Sequence, residues 1–104
     1  MAEWVRVCAL EDIPVLGARV LHDYDPAGDI CVFRNAEDEV FALYDKCPHK
    51  GGPLSQGIVH GRSVTCPLHG WRIDLDSGAA LAPDSGCALG FPVKVENGDV
   101  LLAL

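Results

Sequence analysis

An all-β fold is predicted by three observations: short apolar runs rich in β-branched and aromatic residues, turn chemistry between several of them, and no amphipathic helical stretch of useful length. Trp4-Val5-Arg6-Val7 opens the series. Leu10-Glu11-Asp12-Ile13-Pro14 suits a single helical turn limited by its proline. Ala18-Arg19-Val20-Leu21, Ile30-Cys31-Val32-Phe33 and Val40-Phe41-Ala42-Leu43 follow as strands. The polar run Asn35-Ala36-Glu37-Asp38 links the last two as a hairpin. At the far end, Val93-Lys94-Val95-Glu96 and Val100-Leu101-Leu102 flank Asn97-Gly98. That dipeptide tolerates the two positive φ angles of a type I′ turn, so the chain closes with a hairpin.

The middle differs. Eight of the eleven glycines and four of the seven prolines lie between positions 45 and 90, with only short apolar runs such as Ser63-Val64-Thr65 and Arg72-Ile73-Asp74-Leu75. So much irregular backbone in a small domain calls for a staple, and a bound metal centre is one. The 104 residues suffice for a single domain, 1–104, with this segment of about 45–90 as its metal-binding part.

Composition narrows the function classes. A 49% hydrophobic, 22% charged chain is ordinary for a globular protein. The formal charge of −7 disfavours nucleic acid and other polyanions as partners. No window approaches the roughly 18 apolar residues of a membrane span, and Met1-Ala2-Glu3-Trp4 carries no export signature, so the expected location is cytoplasmic with no membrane partner. Five cysteines, at 8, 31, 47, 66 and 87, are an odd number and a poor basis for a disulfide framework.

Two Cys/His pairs stand out. Cys47-Pro48-His49 and Cys66-Pro67-Leu68-His69 are separated by sixteen residues, and glycines follow each at Gly51-Gly52 and Gly70. Each pair can set a thiolate and an imidazole on one metal-facing loop, a ligand set that suits zinc or an iron–sulfur cluster. Zinc sites usually space paired ligands by two or more residues, so the single residue between Cys47 and His49 is unusual for zinc. A mixed-ligand 2Fe–2S cluster takes two thiolates on one iron and two imidazoles on the other, which one Cys and one His per loop can satisfy.

Cys47-Pro48-His49 together with Cys66-Pro67-Leu68-His69-Gly70-Trp71 resembles the Rieske cluster motif, and the resemblance extends over nearly the whole chain. It implies an antiparallel β sandwich or barrel with an inserted two-loop cluster-binding subdomain. It also implies one 2Fe–2S cluster, with Cys47 and Cys66 on one iron and His49 and His69 on the other. Neutral imidazoles in place of two thiolates remove negative charge and make reduction easier: Rieske centres lie at roughly −150 to +300 mV, against about −400 mV for plant-type ferredoxins. Rieske proteins of cytochrome bc-type complexes carry a second cysteine pair linking the loops and a serine after the second His-Gly. Here those positions are Gly52, Leu68 and Trp71, which is similar to the low-potential ferredoxin branch.

Within that branch, the run from His49 to Gly57, His-Lys-Gly-Gly-Pro-Leu-Ser-Gln-Gly, is similar to the small subunit of assimilatory NAD(P)H nitrite reductase. That resemblance implies a non-catalytic redox subunit of an enzyme reducing nitrite to ammonium in nitrate assimilation. Its partner would be a large subunit carrying flavin and siroheme. The alternative is a freestanding Rieske ferredoxin serving an aromatic-ring oxygenase and its reductase, in which His69-Gly70-Trp71 is equally at home. A zinc-stapled interaction module stands behind both. Of the remaining residues, Cys8 and Cys31 sit in strand patterns and read as core, and Cys87 as a buried thiol. His22 is expected in solvent at a strand end and His60 in a loop, while Lys50, Arg62 and Arg72 read as solvated loop charges.

Overall fold

The computed structural model describes residues 3–22, 24, 28–45, 54–66, 70, 72–80 and 90–104. Their regular structure is β apart from two single 3-10 turns. The strands are β1 (Trp4–Ala9), β2 (Gly17–Leu21), β3 (Ile30–Arg34), β4 (Val40–Tyr44), β5 (Ile58–His60), β6 (Ser63–Thr65), β7 (Arg72–Asp74), β8 (Gly90–Phe91), β9 (Val93–Glu96) and β10 (Asp99–Ala103). The helical turn expected before Pro14 is the first 3-10 turn, Leu10–Asp12; the second is Leu54–Gln56.

These strands form three antiparallel sheets, ordered β1-β10-β9, β2-β3-β4-β8 and β5-β6-β7. The four-stranded sheet is the middle layer. Along β3 the side chains alternate: Ile30 and Val32 join Cys8, Ile13, Val100 and Leu102 on one face, whereas Cys31 and Phe33 join Val59, Val64 and Ile73 on the other. β4 repeats the division with Ala42 on the first face and Phe41 and Leu43 on the second. A strand covered on both faces has no polar side, which is why Ile30-Cys31-Val32-Phe33 reads as an unbroken apolar run.

The closing hairpin forms as its turn chemistry predicts. Asn97 and Gly98 have φ of 51° and 80°, and Asp99 pairs with Glu96 across the two-residue turn. At the other hairpin, buried Asn35 organises the connection. Its Oδ1 accepts from the Glu37 and Glu39 amides at 3.0 and 2.9 Å, while its Nδ2 donates to the Gly61 carbonyl at 3.1 Å. The last bond ties the middle sheet to the turn between β5 and β6.

Two expectations change. The segment about 45–90 is more regular than its composition suggests, since it contributes β5, β6 and β7, held to the middle sheet by an apolar bed of its own. His60 lies in β5 rather than in a loop, its Nε2 2.9 Å from Thr65 Oγ1 and its Nδ1 3.2 Å from Ser63 Oγ.

Candidate metal centre

The two predicted ligand loops leave neighbouring stems. The first departs from the end of β4 and returns at the turn Leu54–Gln56; the second joins β6 to β7 across the pair Thr65 and Arg72. Of the four predicted ligands, Cys66 is described, whereas Cys47, His49 and His69 lie outside the described residues, as do Lys50, Trp71 and Cys87. Cys66 follows β6 directly and is 1% exposed, packed in the cluster that includes Leu54, Val59, Val64 and Ile73.

The base of the first loop is clasped by side chains that the sequence did not single out. Asp45 Oδ1 accepts from the Ser55 amide at 2.7 Å and its Oδ2 from the Ser55 hydroxyl at 2.8 Å. Asp45 donates its own amide to the Asp29 carbonyl at 3.0 Å, linking the clasp to the chain before β3. Hydrogen bonds to a carboxylate are stronger than those between neutral groups. Asp45 and Ser55, on either side of the first predicted ligand loop, are therefore held together.

Gly57 brings the two stems together. A Cβ there would run into the Thr65 carbonyl oxygen and lie 2.8 Å from Val64 Cγ2. Only glycine lets the chain leaving Leu54–Gln56 pass so close to β6, one residue before Cys66. On the second loop Gly70 has φ of 68°, a left-handed conformation that glycine adopts at little cost.

The other two described thiols belong elsewhere. Cys8 and Cys31 are buried in the core, as their strand patterns predict. Burial pushes both thiols up from their ordinary range, and the Asp45 charge adds to the effect at Cys31. Protonated and enclosed, neither is a ready metal ligand or nucleophile. His22 Nδ1 lies 3.0 Å from Asp29 Oδ1 on the surface. Arg62, read as a free loop charge, pairs with Asp76 at 3.5 Å and stands 5.5 Å over the Phe41 ring.

The donor chemistry fits a 2Fe–2S group. The predicted donors are two thiols and two imidazoles on loops with adjacent stems, and Cys66, the one of them that is described, is withdrawn from water in an apolar cluster. Zinc accepts such donors too, and comparison with known proteins decides between them. The chain is 36% identical over 102 residues to the ferredoxin component of the 2,4-dinitrotoluene dioxygenase system of Burkholderia sp. (strain RASC), spanning 97% of this chain and 95% of that protein. Among solved structures it superposes on a complex of reduced oxygenase and oxidised ferredoxin in carbazole 1,9a-dioxygenase, with a TM-score of 0.83 and 29% identity over 96% of this chain and 92% of that one. A structure from Mycobacterium tuberculosis, assigned to an NADH-dependent nitrite reductase small subunit, matches with a TM-score of 0.87 at 23% identity, covering 100% of this chain and 96% of that one, a likeness of fold alone. The model of the Rieske [2Fe-2S] domain matches residues 3–95. The chain therefore belongs to the Rieske family, an electron-transfer family whose cofactor is a 2Fe–2S cluster.

Proposed function

We propose that this chain is the ferredoxin component of an oxygenase system, carrying single electrons from a reductase to a terminal oxygenase. The observation that carries this reading is the 36% identity to a dioxygenase ferredoxin component along almost the entire length of both proteins. Matching lengths mean that the likeness covers the scaffold as well as the motif. The nitrite reductase reading is the second one and rests on the run between His49 and Gly57; the fold, shared by both kinds of protein, does not separate them. Identity at full length favours the ferredoxin.

In the proposed arrangement Cys47 and Cys66 hold one iron and His49 and His69 the other. When bound, the cluster supplies a reversible one-electron store at the potential its mixed ligands set. The chain's own residues do three things around it. The clasp of Asp45 on Ser55 fixes the ends of the loop bearing Cys47 and His49. Gly57 brings that loop against the stem of the one bearing Cys66 and His69. The apolar bed of Leu54, Val59, Val64 and Ile73 keeps water from the Cys66 side. With Gly52 and Leu68 in place of a loop-linking cysteine pair, these contacts carry the positioning.

Substitution for the ferredoxin component in a reconstituted 2,4-dinitrotoluene dioxygenase system tests the reading. NADH-dependent substrate oxidation that requires this chain is the expected result. Failure there, together with nitrite-dependent NAD(P)H oxidation that requires this chain alongside a flavin and siroheme subunit, would overturn it in favour of nitrite reductase.

A further inference from the structure

The charges of this chain are segregated along the sequence. Residues 46–73 hold four cations, Lys46, Lys50, Arg62 and Arg72, and no carboxylate. The rest of the chain holds four cations and all fifteen carboxylates. The segment with no carboxylates spans both ligand loops, β5, β6 and the first two residues of β7, ending one residue before Asp74. A protein whose overall charge is −7 thus carries its cluster in a stretch of the opposite sign.

The outer face of β5-β6-β7 gives part of that segment a place. Val59, Val64 and Ile73 point inward to the core, so the alternate residues face outward. Ile58, Thr65 and Arg72 form one row across the three strands, since Ile58 pairs with Thr65 and Thr65 with Arg72. This row lies at the loop end, for Thr65 precedes Cys66 and Arg72 opens the strand that leaves the second loop. Ile58 is 70% exposed, the most exposed of the large apolar side chains described, and Arg72 is exposed as well. Asp74, the carboxylate of β7 on the same face, belongs to the far row opposite Ser63, where its Oδ2 accepts from the Ser77 hydroxyl at 2.7 Å.

We propose that the row Ile58–Thr65–Arg72 is the docking surface for an electron-transfer partner that presents carboxylates around an apolar spot. The charge pattern argues for this occupant. A carboxylate-bearing surface is attracted to exposed Arg72, in a segment whose sequence also holds Lys46 and Lys50, and repelled by the carboxylate-rich remainder; Arg62, in the turn between β5 and β6, is already paired with Asp76. An encounter is therefore steered with the cluster end first. Ile58 then supplies apolar contact at the centre, and the short-lived complex that electron transfer needs is held by modest contacts. The proposal takes the chain to be an electron carrier but does not depend on whether its partner is an oxygenase or a nitrite reductase subunit.

Two probes test it on the cluster-loaded protein, and neither uses an oxygenase. The first is oxidation of the reduced protein by hexacyanoferrate(III), a small trianion, followed by stopped flow against ionic strength. If the local positive field governs, the rate falls as salt rises, and Arg72→Glu slows it about fivefold at low salt. Arg19→Glu, which makes the same charge change in β2 of the middle sheet, opposite Val32 and so on the face away from β5-β6-β7, leaves the rate within a factor of two. A rate that rises with salt, or equal effects of the two variants, shows that net charge governs and overturns the proposal. The second probe is a labelled poly-glutamate peptide read by fluorescence anisotropy at low salt. Binding weakened by Arg72→Glu and not by Arg19→Glu is expected; no binding, or binding that ignores Arg72, overturns the carboxylate partner. Because both probes are independent of the enzyme system, failure of the ferredoxin assignment would leave their outcome unchanged.

Discussion

Ser55 meets Asp45 through both its amide and its hydroxyl, so a single substitution separates two contributions to the loop base. Ser55→Ala keeps the amide bond and leaves Asp45 Oδ2 without its 2.8 Å donor; a loss of about 1 kcal/mol is expected in denaturant unfolding. Asp45→Ala removes both bonds and is expected to cost more, about 2 kcal/mol. Equal stability of the two variants would show that the hydroxyl carries the whole clasp. The buried thiol of Cys31 gives the chain an alkaline liability. Its folded form holds the proton that the unfolded form releases above about pH 8.5, so stability is full below that point and declines as pH rises past it. Cys31→Val is expected to flatten the decline measured by unfolding between about pH 8 and pH 10. The core placement of Cys8 and Cys31 was legible from neighbouring strand patterns. The Asp45–Ser55 clasp was not, because ten residues separate the partners and only the path of the loop between them makes them meet.

Among the elements, turns with local chemistry were the easiest to foresee. Asn97-Gly98 carries its two positive φ angles wherever it is placed, and the turn Leu10–Asp12 stops just short of Pro14. β5 and β8, of three and two residues, are too short to show a period in the sequence and are defined by their partners. His60 therefore looked like a loop residue until the pairing of β5 with β6 was in view. Asn35 was legible as a turn residue, but its bond to Gly61 joins elements far apart in the chain and nothing in the sequence announces it. Gly57 marks the strictest element contact. Gly57→Ala sets a methyl against the Thr65 carbonyl and Val64, so the turn Leu54–Gln56 must withdraw from β6. A loss of about 1–3 kcal/mol is expected, with faster amide exchange in β6 and a less well retained cluster. Unchanged exchange in β6 would show that the contact yields without consequence.

At the scale of the whole molecule, one middle sheet serves two cores. The face toward β1, β9 and β10 is built from strands and the turn Leu10–Asp12 with Ile13 behind it, whereas the face toward β5-β6-β7 adjoins the ligand loops. Cluster binding is therefore coupled to the order of the second core more than the first. The all-β class was legible from apolar runs, whereas the middle that glycine and proline marked as irregular carries β5, β6 and β7, strands of three residues each. The three-layer arrangement was not, because a short apolar run does not say what covers each face. The proposed ligand set comes from spacing and residue type alone, and of its four residues Cys66 is among the described ones. The most direct test of the central claim, that Cys47, His49, Cys66 and His69 hold a Rieske 2Fe–2S cluster, is metal analysis joined to EPR on anaerobically prepared protein and its single-ligand variants. The protein should hold iron and acid-labile sulfide in equal amounts and give, when reduced, a mixed-ligand 2Fe–2S signal of low average g, absent from Cys66→Ser and His69→Ala. A colourless protein with stoichiometric zinc and no iron after reconstitution, or an unaltered signal in either variant, would contradict it.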